Sequence, residues 1–211
     1  MELRGLTHLS LPAAALALAG CWAVGAVAGC GAAPAVVHGP VQELPLTVQE
    51  IPFPGFQVEA NSPSAGFYSN RRLAGRDPAI LAALRRAGRE GGYERDFSRA
   101  VSPVQVVGPV VIESSASLFR TAQGAREGLA LLGREVAGQG GTPISTGRVG
   151  QDTLGYVIQK QLNGVAYDSF VVLWRQDNAV AVVLVAGNAA TMDVQYAVQL
   201  AQIAQLRLRA S

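Results

Sequence analysis

Cysteine, histidine and lysine are nearly missing from this chain. Its 211 residues include two cysteines and two histidines, and Lys160 is the single lysine beside sixteen arginines. Both cysteines, Cys21 and Cys30, fall in the first thirty residues, so the remainder can carry no disulfide framework and no thiolate zinc site. Beyond that segment the only imidazole is His38, set among prolines. A Ser-His-Asp or Cys-His arrangement needs an imidazole to move the nucleophile's proton, and His38 in a linker does not supply one. A Walker loop needs Gly-Lys before Ser or Thr, whereas Lys160 follows Gln159. Gly138, Gly140 and Gly141 lack a preceding strand and read as a helix stop. No calcium loop of the Asp-x-Asp-x-Asx-Gly kind occurs. The sequence therefore predicts no cofactor, no metal site and no catalytic residue. Charge is also scarce: charged residues make up 15% and the net charge is +2, too little for a nucleic-acid surface. Hydrophobic residues at 49% exclude a disordered chain.

What is present begins at the N-terminus. Arg4 precedes an apolar run from Leu9 to Ala28, and Val27-Ala28-Gly29-Cys30 follows. A short n-region, an apolar h-region and small residues before a cysteine form an export signal. The segment resembles a bacterial lipoprotein signal with its lipobox. That resemblance implies acylation of the cysteine thiol, cleavage just before it, and a domain held outside the cytoplasm at the cell membrane by its acyl chains. Leu18-Ala19-Gly20-Cys21 is a second match. Cleavage there leaves the apolar stretch Trp22 to Ala28 on the mature end, which favours Cys30 as the lipid attachment site over Cys21. An uncleaved signal anchor is the alternative, since about 20 apolar residues can just span a bilayer.

Three segments follow: a signal peptide at 1–29, a lipidated cysteine and Pro/Ala/Gly-rich tether at 30–54, and a single globular domain at 55–211. The tether carries Pro34, Pro40, Pro45, Pro52 and Pro54, which disfavour helix and central strand alike. The domain's roughly 160 residues suffice to bury about two-thirds of the unfolded surface without disulfides. A short strand is predicted at Phe56 to Glu59. Asp77-Pro78 caps and opens a helix that Gly91-Gly92 closes. A strand is expected over Val104 to Glu113. Ser117 then caps a helix whose apolar stripe runs Leu118, Ala122, Ala125, Leu129, Leu132 and Val136. A three-stranded meander comes next, turning at Asn163-Gly164 and at Gln176 to Asn178. Thr191 starts a final, mostly buried helix. This order predicts an α+β fold, an antiparallel sheet with helices packed mainly on one face. The second half resembles the PsbP/Mog1-like exported domains in its element order and in Phe170 to Gly187. The resemblance implies a binding or assembly role and transfers no site residue.

Three weaker groupings remain. Half of the arginines, Arg71, Arg72, Arg76, Arg85, Arg86, Arg89, Arg95 and Arg99, lie within 29 residues; a solvated helix face is the simpler reading, contact with anionic headgroups the sharper one. Glu94 and Asp96 share a face if their segment is a strand, and read as surface charge before acid–base chemistry. Tyr156, Tyr167, Phe170 and Trp174 form a candidate ligand pocket, with core packing the favoured reading; Phe170 and Trp174 share one face by period two, while Tyr167 takes the other. The function expected is therefore a membrane-anchored extracytoplasmic lipoprotein that binds an apolar small molecule or an envelope protein without catalysis. An envelope hydrolase or transferase using carboxylates and arginines is the alternative, and a structural subunit of an envelope assembly is the third.

Overall fold

The computed structural model describes residues 36–100, 107–162 and 164–210. Cys21, Cys30 and the signal segment lie outside them, as do residues 104–106 of the strand expected over Val104 to Glu113; within the described part that strand begins only at Val111 and runs on to Phe119. Among the described residues no helix is long and apolar enough to cross a membrane.

Eight strands form one antiparallel sheet: β1 (Gln57–Val58), β2 (Gly66–Tyr68), β3 (Arg89–Ser98), β4 (Val111–Phe119), β5 (Thr142–Pro143), β6 (Asp152–Leu162), β7 (Val165–Gln176) and β8 (Ala179–Asn188). The spatial order is β1-β3-β4-β8-β7-β6-β5, with β2 also pairing β3. The helices are α1 (Asn70–Ala74), α2 (Pro78–Arg86), α3 (Ala122–Gly138) and α4 (Val194–Ala210). The α+β fold expected from the sequence is the one observed.

The two faces of the sheet separate by period two. Val171 and Leu173 of β7 join Phe119, Ala125, Leu129, Tyr156 and Ile158 under α3. Their neighbours Val172 and Trp174 join Ala197, Leu200 and Ala204 of α4 on the opposite face. Helices α1 and α2 pack on the α3 side through Ala74, Ile80, Leu84 and Leu131. Three of the four helices thus share one face, and α4 covers the other. Trp174 is fully buried and its indole N–H donates to Gln205 of α4 at 2.6 Å, which fixes that helix in register on the sheet.

The segment expected to be a tether is a second finding, and a correction. From Val37 onward it lies on the α4 face, with Leu44 and Leu46 at 1% and 0% exposure beside Ile51 and Phe56. Its prolines punctuate two 3-10 turns, Val41–Glu43 and Val48–Glu50, rather than a solvated spacer. The apolar residues between those prolines decide the outcome. Arg95 donates to the carbonyls of Gln42, Pro45 and Leu46, Ser114 accepts the Leu46 amide at 3.0 Å, and Arg207 of α4 pairs with Glu50 at 2.7 Å.

Two element boundaries also move. Gly91-Gly92 lies inside β3 rather than at the end of α2, which stops at Arg86; the strand crosses close to Tyr68 there, in space that a Cβ on Gly92 would occupy. Ser117 belongs to β4, and Thr121 caps α3, accepting from the Gly124 amide at 2.9 Å.

Candidate functional site: a cavity between the sheet and three helices

The α3 face of the sheet is not filled. Beneath α1, α2 and α3 lies a cavity of about 360 Å³, within the range of small-molecule sites. Its apolar wall comes from Leu84 of α2, Leu131 and Leu132 of α3, and Val171, Leu173, Val182 and Leu184 of the central strands. β3 and β4 supply the polar wall. Alternation turns Glu94 and Asp96 of β3 to this side, and Glu113, Ser115 and Ser117 of β4 likewise. Asp96 stands opposite Glu113 in the ladder and Glu94 opposite Ser115. Glu94, Glu113 and Ser115 line the cavity, as do Glu135 of α3, Tyr68 and Arg72.

Burial dominates the state of these carboxyls. Glu94 is pushed up to about 9, first by desolvation and then by the charges of Glu113 and Asp96; Arg72 opposes the shift. Glu113 is raised to about 7 by desolvation and by Asp96, with Lys160 of β6 opposing. Glu135 is also raised by burial and by Asp77, against Arg134. Removing a carboxylate from water disfavours its charged form, and like charges on adjacent strands add to the effect. Asp96, only 3% exposed, is held differently: its Oδ2 accepts from the hydroxyls of Ser62 and Ser64. Its Oδ1 is buried without a hydrogen-bond partner, and a side-chain interaction with Asp96 adds to the rise at Glu94. At neutral pH the cavity therefore presents a carboxylic acid at Glu94 and a carboxyl close to its midpoint at Glu113.

Arg72 is the one basic residue of the lining, and its guanidinium is engaged at the rim with the carbonyls of Phe67 and Pro63. Arg89, buried beside the cavity, stacks at 4.6 Å over Tyr68 and donates to Ser117 and Asn70. Among the described residues no group of three or more His, Cys, Asp or Glu is placed to hold a metal ion.

The four aromatic candidates do not meet. Trp174 and Phe170 belong to the α4 face, Trp174 at 0% exposure, whereas Tyr156 and Tyr167 face the other way. None of them lines the cavity. Adjacent strands placed them close in sequence terms, but alternation within β7 sends them to opposite cores. Glu94 and Asp96 share a face as their spacing allows, yet that face is covered, which corrects the surface-charge reading. Glu113 was missed. Its only signal is a polar triplet, Glu113, Ser115 and Ser117, whose alternation with apolar Ile112, Ala116 and Leu118 is broken by Ser114; that pattern also describes a strand facing water. The arginine group disperses: Arg89 and Arg95 serve as internal clamps, Arg99 donates to the Val107 carbonyl at an exposed site, and Arg71, Arg76, Arg85 and Arg86 are exposed at helix ends.

No protein-family model matches the chain, and no curated protein matches it. Among solved structures it is similar to the crystal structure of the extracellular domain of PknH from Mycobacterium tuberculosis. The TM-score is 0.54 at 10% sequence identity, over 86% of this chain and 100% of that one. At that identity the likeness is one of fold.

Proposed function

We propose that this is an extracytoplasmic, membrane-anchored lipoprotein whose α+β domain binds a small molecule in the cavity under α1, α2 and α3, without catalysis. The cavity carries the reading: an unfilled apolar space backed by polar groups from β3 and β4 is built for a ligand rather than for stability, because close packing would stabilise the fold more. The lipobox at Cys30, with Cys21 as the second match, supplies the anchor. An extracellular domain of the same fold is consistent with that location. Only residues 31–36 separate Cys30 from the buried Val37, a reach of about 20 Å at most. The domain then sits directly against the bilayer surface rather than on a long spacer.

Purifying the exported protein from its own membranes, followed by native mass spectrometry and organic extraction, tests the binding role. A stoichiometric small molecule supports it, and an empty domain in every preparation counts against it. A second reading is favoured by one observation, the carboxyls of Glu94 and Glu113 lining one cavity from adjacent strands, raised by burial to about 9 and about 7, which suits a general acid and base of an envelope hydrolase or transferase. Turnover of the extracted molecule that disappears in Glu113→Gln would establish that reading instead.

A further inference from the structure

The cavity's charge pattern narrows what enters it. Its carboxyls come from three separate elements, Glu94 on β3, Glu113 on β4 and Glu135 on α3. Its one basic lining residue, Arg72, is exposed and already engaged by the Phe67 and Pro63 carbonyls. An anionic ligand would meet three acids, against Arg72 as the one basic residue among the described lining residues. A purely apolar ligand would leave the hydrogen-bonding groups of Glu94, Glu113 and Ser115 buried without a partner from the ligand, which costs free energy for each. An inorganic cation lacks a ligand set among the described residues. The opposite wall, Leu131, Val171, Leu173 and Leu184, requires an apolar body of its own.

We propose that the cavity takes an amphipathic organic cation, an ammonium or guanidinium carried on an apolar body. The head lies between Glu94 and Glu113 and the body lies against the leucine and valine wall. This rests on the ligand-binding reading above and specifies the ligand's class. Binding is an exchange of charge: the ligand enters as a cation, Glu94 and Glu113 ionise to pair with it, and their protons pass to solvent. Glu94 is faced by Glu113, Asp96 and Arg72, and Glu113 by Asp96 and Lys160. Glu135, at the helix side, is faced by Asp77 and Arg134. The excess of acids in this set makes a buried cation favourable once it arrives, as desolvated charges survive only when paired. Affinity rises with pH until the ligand's own amine begins to lose its proton, near ~10 for an alkylammonium.

Isothermal titration of the full chain in nanodiscs at pH 7, with empty nanodiscs as blank, tests this with three probes of one shape. These are 4-phenylbutylamine, 4-phenylbutanol and 4-phenylbutanoate. The amine is expected to bind at least tenfold more tightly than the alcohol, the carboxylate not at all, and the heat to differ between phosphate and Tris buffers because protons are released. Glu94→Gln and Glu113→Gln each weaken the amine about tenfold and so narrow its advantage over the alcohol. Both variants keep the fold, since glutamine preserves the neutral shape. Ser115→Phe, which fills the cavity from a strand position, abolishes binding of amine and alcohol together. If the alcohol or the carboxylate binds as tightly as the amine, the cationic class is overturned while the ligand site stands. No binding of any probe overturns both, and binding unaffected by Ser115→Phe places the probe elsewhere and overturns the proposal.

Discussion

Single side chains hold this domain in ways that make sharp expectations. Gly124 sits where α3 meets the turn before β3, and a Cβ there would collide with the Ala87 carbonyl, a backbone atom that cannot yield cheaply. Gly124→Ala is therefore expected to lower stability by about 1–3 kcal/mol in denaturant unfolding, despite alanine's better helix propensity. A stabilised variant would contradict the close approach of α3. Glu94 makes the opposite kind of statement. Its pKa is raised from the carboxylate range to about 9, so the folded state binds a proton more tightly than the unfolded chain. The stability this provides is complete below about pH 4.5 and is lost as pH rises through about 9. Thermal melting across pH 5 to 9 should show the wild type falling and Glu94→Gln falling less, with the variant the more stable at pH 9. Parallel curves would mean that Glu94 is ionised in the folded protein.

At the scale of elements, the N-terminal segment matters most. Leu46 is wholly buried and its amide is held by Ser114; Leu46→Ala is expected to cost about 2–5 kcal/mol. A chain beginning at Gln49 loses Val37, Leu44 and Leu46 together and should unfold at far lower denaturant than one beginning at residue 36. Equal midpoints would restore the segment to a mere tether. Its proline density points to a tether because the buried Val37, Leu44, Leu46 and Ile51 have no periodicity to flag them. The meander, by contrast, was legible: Val165 to Ala186 is rich in β-branched residues, its turns carry Asn163-Gly164 and Gln176 to Asn178, and β7 and β8 follow. α3 was legible in Ala122, Ala125, Leu129, Leu132 and Val136 at helical spacing, whereas Leu118, the first member of the expected stripe, belongs to β4 and packs on the α4 face. Strand β3 was not, because Glu90, Gly91, Gly92, Glu94 and Arg95 have neither strand propensity nor alternation. It exists because β4 and β2 pair with it on both sides. With β3 unseen, Glu94 and Asp96 looked exposed, and the site was lost with the strand.

For the whole molecule, the account joins an anchor to a cavity. Cys30→Ser should release the protein from membranes on fractionation while Cys21→Ser leaves it bound; the reverse result moves the mature terminus to Cys21. With only residues 31–36 between Cys30 and the folded part, an anchored domain samples molecules at the membrane surface. An amphipathic ligand is concentrated in that place.

The most direct test is ¹³C NMR of glutamate side-chain carboxyls in the full chain, assigned with Glu94→Gln and Glu113→Gln. The account predicts resonances titrating near 9 and 7 in the ligand-free protein, as burial and mutual repulsion require. It also predicts a shift of both to the ionised position at pH 7 when 4-phenylbutylamine is added. Two carboxyls titrating near the ordinary ~4.3 of glutamate and indifferent to the amine would contradict it.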